Sequence, residues 1–362
     1  MIMKLLSILQ RIIIKTPYLN KWFVGLRKDK FLSQKIWGEE ILSEAIAKQF
    51  DIFLTSEQLV NKKYKDRLTI DIILSYLLYE VIPSEYFLFD FPNCDHNRRK
   101  SFLTLKHKDL VMIKKVGMGY NWDILENKAM FYEKFKQYFH RDVCVIKQEN
   151  DLFLFNNFVL KHKKFIAKPL GGQCGKGVEI CDVEKYSNAE ELFFGLLKDG
   201  NWILEELLTA DKSISQWNPT SLNTIRIPSF INSKGFFILK PVFRIGRKGK
   251  VVDNANSGGI VVVVDQKTGI LKTNGVDMHG NFYEKHPDSN IVFKGYQIPK
   301  WTELLDLVEQ IHRTEMPNYP YIGWDFALTD KGWVLIEGNW GQFLSEFADR
   351  EGIKAKFDSM FD

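Results

Sequence analysis

"YIGWDFALTDKGWVLIEGNW", residues 321–340, decides how the second half of the chain folds. "DFALT" and "WVLIE" read as strands, and the intervening "DKG" ends in the residue that tolerates positive φ, so the stretch predicts a β-hairpin. With Asp330, Lys331 and Gly332 as the loop, Thr329 faces Trp333 and, counting outward, Asp325 faces Glu337. Directly opposed side chains lie about 4.5–5.5 Å apart at Cβ, and Asn339, two residues on, points to the same face. Two carboxylates that close repel unless a proton or a cation lies between them. Oxygen donors of this kind suit a hard cation, Mg²⁺ above all. A hairpin with solvated acids is the plainer alternative, and a glycosidase-like acid pair is a third.

Outside the hairpin, composition sets the bounds. A chain of 362 residues, 45% hydrophobic and 26% charged, matches an ordinary globular protein of two or three structural units. No run of about 18 uninterrupted apolar residues is present, so no bilayer span is predicted. Cys94, Cys144, Cys174 and Cys181 are scattered without a C-x-x-C, which argues against a disulfide scaffold or zinc site and suits a reducing cytoplasm. The seven histidines show no metal-ligand spacing.

The net charge of +5 is uneven: residues 1–30 carry seven basic residues against Asp29 alone, a net of +6, so the rest sums to −1. A basic stripe beyond residue 30 is missing, which argues against a nucleic-acid binder. Lys4, Ser7, Arg11 and Lys15 recur at helical spacing on an otherwise apolar segment. Such a helix either packs its apolar face on the protein's own core or lies on an anionic membrane surface, giving peripheral contact at the inner face through residues 1–30. Arg11 breaks the apolar run and no small-residue cleavage site follows, so it reads poorly as a secretory signal.

Residues 1–120 read mainly as helices, including "GEEILSEAIAKQFDIF" (38–53) and "TIDIILSYLLYEVIP" (69–83). The stretch "SEYFLFDFPNCDHNRRKSFL" (84–103) suggests no chemistry. From about residue 121 the texture becomes α+β: glycine-broken strands with two helical stretches among them, and no regular strand–helix alternation.

A second informative stretch is "FIAKPLGGQCGKGV", residues 165–178. A strand ends at Lys168 and Pro169, then Gly171, Gly172, Gly175 and Gly177 follow, with Lys176 among them. Such a loop can lay backbone N–H groups along phosphate oxygens. It is not a Walker A loop, because Gly177 stands where Ser or Thr is needed. Downstream come "LEELL" with Glu205 and Glu206, "LNTIRI" with Asn223 and Arg226, "FRIG" with Arg244, and "VDNANSGGI". Asp253 and Asn254 in the last of these fit either a site or a simple Asx-turn.

In this order, from "NK" at 127–128 to "LIEGN" at 335–339, the elements resemble the ATP-grasp superfamily, most closely its sugar-transfer-associated branch, related to alpha-L-glutamate ligases. The resemblance implies an α+β ATP-grasp fold: a helical region over 1–120, a first lobe over 121–207 and a second over 208–362. Lys128 and Lys168 look like the lysines on the nucleotide phosphates. Gly171 to Gly177 looks like the loop over those phosphates, with Lys176 near the transferred group. Glu205, Glu206, Leu207 and Leu208 match the segment that receives adenine, with Glu205 or Glu206 on ribose. Asp325, Glu337 and Asn339 match the ligands of Mg²⁺, for which Mn²⁺ can substitute, and Arg244 resembles the arginine on the γ-phosphate. Asn223 and Arg226 would face the substrate.

The implied reaction is ATP-dependent joining of a carboxylate to an amine on a small-molecule or glycan acceptor in surface-polysaccharide assembly. Phosphoryl transfer needs charge neutralised at phosphate oxygens and little covalent work, which agrees with the absence of a nucleophile motif. A phosphotransferase on the same fold and a nucleotide-binding scaffold without turnover are the alternatives.

Overall fold

The computed structural model describes residues 17–38, 40–115, 122–171, 177–340 and 346–361. The basic segment 1–15 lies outside these residues. The chain divides into two compact units, one of residues 1–117 with 349–362 and one of 118–348.

The first unit is helical. Leu42–Phe53 buries Leu42, Ala45, Ile46, Gln49 and Phe50, the i, i+3, i+4, i+7, i+8 stripe of an amphipathic helix. The helix expected over 69–83 is in fact two. Lys62–Tyr79 stops where Glu80 turns left-handed at φ 61°, and Pro83 opens Pro83–Leu88 as its first residue. Proline favours that position and holds Ile82 before it extended, so the second helix starts afresh. Residues 84–103, silent in the sequence, form a polar staple. Arg99 donates to both oxygens of Asp71, at 3.0 and 2.8 Å, and to the Phe91 carbonyl at 2.7 Å, while the Tyr86 hydroxyl also donates to Asp71.

Residues 349–361, assigned from sequence to the last lobe, belong to this helical unit. Arg350 donates to Asp90 at 2.7 Å, and His107 Nε2 lies 2.7 Å from Asp358 Oδ1. A Cβ on Gly352 would fall 2.3 Å from the Ser101 carbonyl oxygen, a contact that admits only glycine.

The second unit holds two antiparallel sheets. The smaller has the order β1 (Val143–Ile146), β4 (Trp202–Glu206), β2 (Lys164–Pro169), β3 (Glu179–Asp182). Helices Leu152–Lys161 and Ala189–Asp199 contribute Phe155, Phe158, Leu192 and Phe193 to its core, against Phe165 and Leu204. The larger sheet runs β10 (Phe282–Tyr283), β9 (Gly275–Val276), β8 (Ile260–Val263), β7 (Val242–Ile245), β5 (Thr224–Asn232), β11 (Tyr321–Thr329), β12 (Gly332–Asn339), with β6 (Gly235–Ile238) also paired to β5. Helix Trp301–Glu315 buries Trp301, Leu304, Val308 and Ile311 in the core that holds Trp324, Phe326 and Leu335.

The hairpin forms, with a register that corrects one step of the reading. Thr329 pairs with Gly332, so the turn holds two residues, Asp330 and Lys331, and Leu328 faces Trp333. That shift alone would set Asp325 opposite Ile336. A bulge between Asp325 and Phe326 absorbs the extra residue and restores Asp325 opposite Glu337.

Two histidines are buried in the second unit. His312 Nε2 donates to the Tyr319 carbonyl at 2.7 Å, and its Nδ1 lies 2.7 Å from Ser229 Oγ. Burial pushes its pKa down to about 4, and burial likewise lowers that of His286. A folded-state pKa below the unfolded value means stability is complete above pH 6.5 and is lost as pH falls toward 4. For His312 the full loss is about 3 kcal/mol. Urea unfolding measured from pH 8 to 5 is expected to be flat above pH 7.5 and to decline below 6.5.

Candidate active site

The centre of the larger sheet carries a polar row. Arg226 on β5 is the cross-strand partner of Asp325 on β11, and Asp325 is the partner of Glu337 on β12. The Arg226 Nε donates to Asp325 Oδ1 at 2.7 Å and its Nη2 to Asp325 Oδ2 at 2.5 Å, while the same Nη2 lies 3.4 Å from Glu337 Oε1. One guanidinium nitrogen thus touches both carboxyl groups, which also face each other directly within hydrogen-bond reach. Arg244 on β7 adds Nη1 to Asp325 Oδ2 at 2.8 Å, and its Nη2 donates to Asp253 at 3.1 Å and Asn254 at 2.5 Å. Its Nε has no acceptor among the described residues.

This geometry divides the three expected metal ligands. Asp325 is 1% exposed, and three arginine N–H groups take its two oxygens. Burial acts to raise its pKa, but the two arginines outweigh it and hold the carboxyl well below the usual carboxylate range. Glu337 keeps 47% of its side-chain exposure. Protein packed around the rest of that side chain, and then the Asp325 charge, raise its pKa. The Asn339 amide lies 3.3 Å from Glu337 Oε1. Glu337 and Asn339 thus fit a hard divalent cation. Asp325 is mainly spent on the arginines: among the described residues, Oδ2 accepts from both Arg226 and Arg244, and Oδ1, with Arg226 Nε alone, keeps one lone pair. Among the described residues no group of three His, Cys, Asp or Glu side chains is placed to hold a metal.

The Asp253–Asn254 turn is fixed behind Arg244. Asp253 Oδ2 accepts from the Thr224 N–H at 2.9 Å and from its hydroxyl. A Cβ on Gly259 would lie 2.2 Å from the Asp253 carbonyl oxygen, so glycine is required for the turn to close.

The smaller sheet supplies opposite charge. Lys168 Nζ donates to Glu205 Oε1 at 2.7 Å, and Arg141 Nε donates to Glu205 Oε2 at 2.7 Å. Burial opposes ionisation of Glu205, yet the charges of Arg141 and Lys168 bring its pKa down to about 2. Lys128 opens the helix Lys128–Phe135, whose first turn is capped by the Asn127 side chain. Burial lowers the Lys128 pKa, and its charge couples to Glu337, Lys168 and Glu205. From the helix, Lys128 thus lies within electrostatic reach of Lys168 and Glu205 on the smaller sheet and of Glu337 on the larger.

Other expected positions divide further. Glu206 Oε2 accepts the Asp142 N–H at 3.0 Å and Oε1 accepts Lys331 Nζ at 3.0 Å. Leu207 and Leu208 follow β4 in half-buried irregular chain. Gly171 is exposed, and Gly177 has φ +74° with its Cβ position 2.9 Å from Pro169 Cγ. Gly172, Gly175 and Lys176 lie outside the described residues.

Asn223 does not face a substrate. It is 1% exposed and its amide is spent internally, Nδ2 on the carbonyls of Ile214 and Asn218 and Oδ1 on the Gly246 N–H. Arg226 and Arg244, also expected at substrate and γ-phosphate, are 3% and 5% exposed and hold the acidic row. The sequence reading missed Arg141, which stands in "HRD" (140–142) outside any periodic pattern.

The family model described as sugar-transfer associated ATP-grasp matches residues 111–360. No curated protein matches the sequence. Among solved structures, the chain is similar to an N5-carboxyaminoimidazole synthetase from Staphylococcus aureus complexed with ADP, at 13% identity and TM-score 0.40, covering 67% of this chain and 52% of that one. It is similar to a D-alanyl-alanine synthetase A from Vibrio cholerae at 14% identity and TM-score 0.38, covering 62% and 58%. A D-alanine-D-alanine ligase from Helicobacter pylori gives 14% and 0.39, covering 66% and 60%. The chain spans between about half and three fifths of the length of these proteins.

Proposed function

This chain belongs to the sugar-transfer associated ATP-grasp family, and from that premise we propose that it is an ATP-dependent carboxylate–amine ligase. The observation that carries the reading is the link through Arg141, which donates to Glu205, the acceptor of Lys168, and to the Leu335 carbonyl two residues before Glu337. It sets cations suited to phosphate oxygens opposite oxygen donors suited to a divalent ion.

In this reading Lys128 and Lys168 bind the phosphates of ATP, and the backbone of Leu207 and Leu208 receives the adenine. Glu337 and Asn339 would hold Mg²⁺, which, when bound, neutralises charge at the β- and γ-oxygens. Arg226 and Arg244 keep Asp325 ionised behind that pair, so the floor of the site stays polar and fixed. An acceptor carboxylate takes the γ-phosphoryl group to give an acyl phosphate and ADP, and an amine then displaces phosphate. The family's description as sugar-transfer associated supports a sugar or glycan acceptor, which we place in surface-polysaccharide assembly.

A screen of amino acids paired with uronic acids and amino sugars tests this. ADP and free phosphate are expected only when both acceptors are present. Phosphate retained on a single acceptor would establish a kinase instead, and no ATP consumption with any pair would leave a binding scaffold.

Among the described residues no helix is long and apolar enough to cross a membrane. Peripheral contact through the first 30 residues is supported by Trp22 and Leu26, 62% and 66% exposed one helical turn apart, beside the exposed Lys21, Arg27 and Lys30. Sedimentation with anionic vesicles is expected to carry down the protein, and Trp22→Ser with Leu26→Ser to release it. Equal sedimentation of wild type and variant would refute the contact.

A further inference from the structure

Arg141 lies just before β1, and its side chain is wholly enclosed, with 0% exposure. Its guanidinium reaches both sheets of the second unit. Nε donates to Glu205 Oε2 on β4 at 2.7 Å, and Nη1 donates to the Leu335 carbonyl on β12 at 2.9 Å. Nη1 also donates to the Phe139 carbonyl at 3.1 Å, and the group sits 4.0 Å over the Phe139 ring. Nη2 is buried with no acceptor among the described residues. β12 is the edge strand of its sheet, where outward carbonyls lack a strand partner, and Leu335 is two residues before Glu337. Glu205 passes the connection on through its other oxygen, which accepts Lys168 Nζ at 2.7 Å.

We propose that Arg141 is a positioning residue that ties Lys168 to the strand bearing Glu337 and keeps the Lys168 ammonium available to phosphate. The assignment rests on the nucleotide reading above. Glu205 is one negative charge shared by two cations. With Arg141 in place, Lys168 is neutralised only in part and retains its pull on an anion. Without it, Glu205 is a buried carboxylate with Lys168 as its one strong counter-charge, and that pair tightens at the expense of phosphate. Lysine cannot replace the arginine, since only the planar fork reaches a carboxylate and two carbonyls while stacking on a ring.

Calorimetric titration of the full chain with adenosine and with ATP in Mg²⁺ tests this on wild type, Arg141→Met, Arg141→Lys and the double variant Arg141→Met/Glu205→Gln. Arg141→Met and Arg141→Lys are expected to weaken ATP binding by about tenfold or more while adenosine changes by less than about twofold. Removing the Glu205 charge in the double variant is expected to restore most of the ATP affinity, a rescue that a purely structural role would not give. Equal weakening of ATP and adenosine, or unchanged ATP affinity in either folded variant, would overturn the assignment. If Arg141→Met fails to fold, Arg141→Lys, which keeps the charge and most of the volume, decides by the same ATP-to-adenosine ratio. A wild type that binds adenosine and ATP equally would also overturn it, whereas one that binds neither would bring down the nucleotide reading itself.

Discussion

Asp325→Asn is expected to lower the stability of the unit spanning 118–348 by about 3–5 kcal/mol. Arg226 and Arg244 are nearly fully buried, with side chains 3% and 6% exposed, and both direct N–H groups at this one carboxylate. Asparagine keeps the shape but removes the charge and presents an NH₂ group to a donor. Asp253 and Glu337 cannot make good the loss, since Asp253 is shared with Thr224 and Glu337 stands 3.4 Å from a single Arg226 nitrogen. Urea unfolding at pH 7, extrapolated to water, measures the effect. A change below about 1 kcal/mol would show that the arginines find other acceptors.

Glu337→Gln is expected to do the reverse: little to stability, much to turnover. Its side chain is half exposed and its charge is opposed by Asp325, so folding changes by less than about 1 kcal/mol. If it holds the divalent ion, loss of its charge removes several kcal/mol of transition-state stabilisation, about 10³-fold in ATP turnover. ADP release at saturating acceptors, followed across a Mg²⁺ titration, checks this. Wild-type turnover in the folded variant would remove Glu337 from the chemistry. Together the two substitutions separate a carboxylate that holds the sheet from one that serves the reaction, although the two face each other.

Much of this was legible in the sequence where local rules act alone. Alternation and turn residues marked the hairpin, and a lysine before a glycine run marked the end of β2. The register of the hairpin was reached through two departures that cancel, a two-residue turn and a bulge, and neither has a signature in "DFALTDKGWVLIE". What touches both Asp325 and Glu337 could not be read, because Arg226 is 99 residues away from Asp325 in the chain and meets it only through the pairing of β5 with β11. Asn223 and Arg226 sit three residues apart and looked alike as candidates. The fold sends one into the core behind Gly246 and the other into the acidic row. Arg141 was invisible for the same reason, since its acceptors on β4 and β12 lie 64 and 194 residues on.

The return of residues 349–361 to the helical unit bears on how the protein is made. Ribosomes extend a chain at about 5–20 residues per second, so the first 117 residues emerge roughly ten seconds or more before their last helix exists. Until then Asp90 and Ser101 lack Arg350 and Gly352, and the surface they close stays open to chaperones and proteases. A nick near residue 348 would therefore be felt first by the helices that precede residue 117, far along the chain from the lesion.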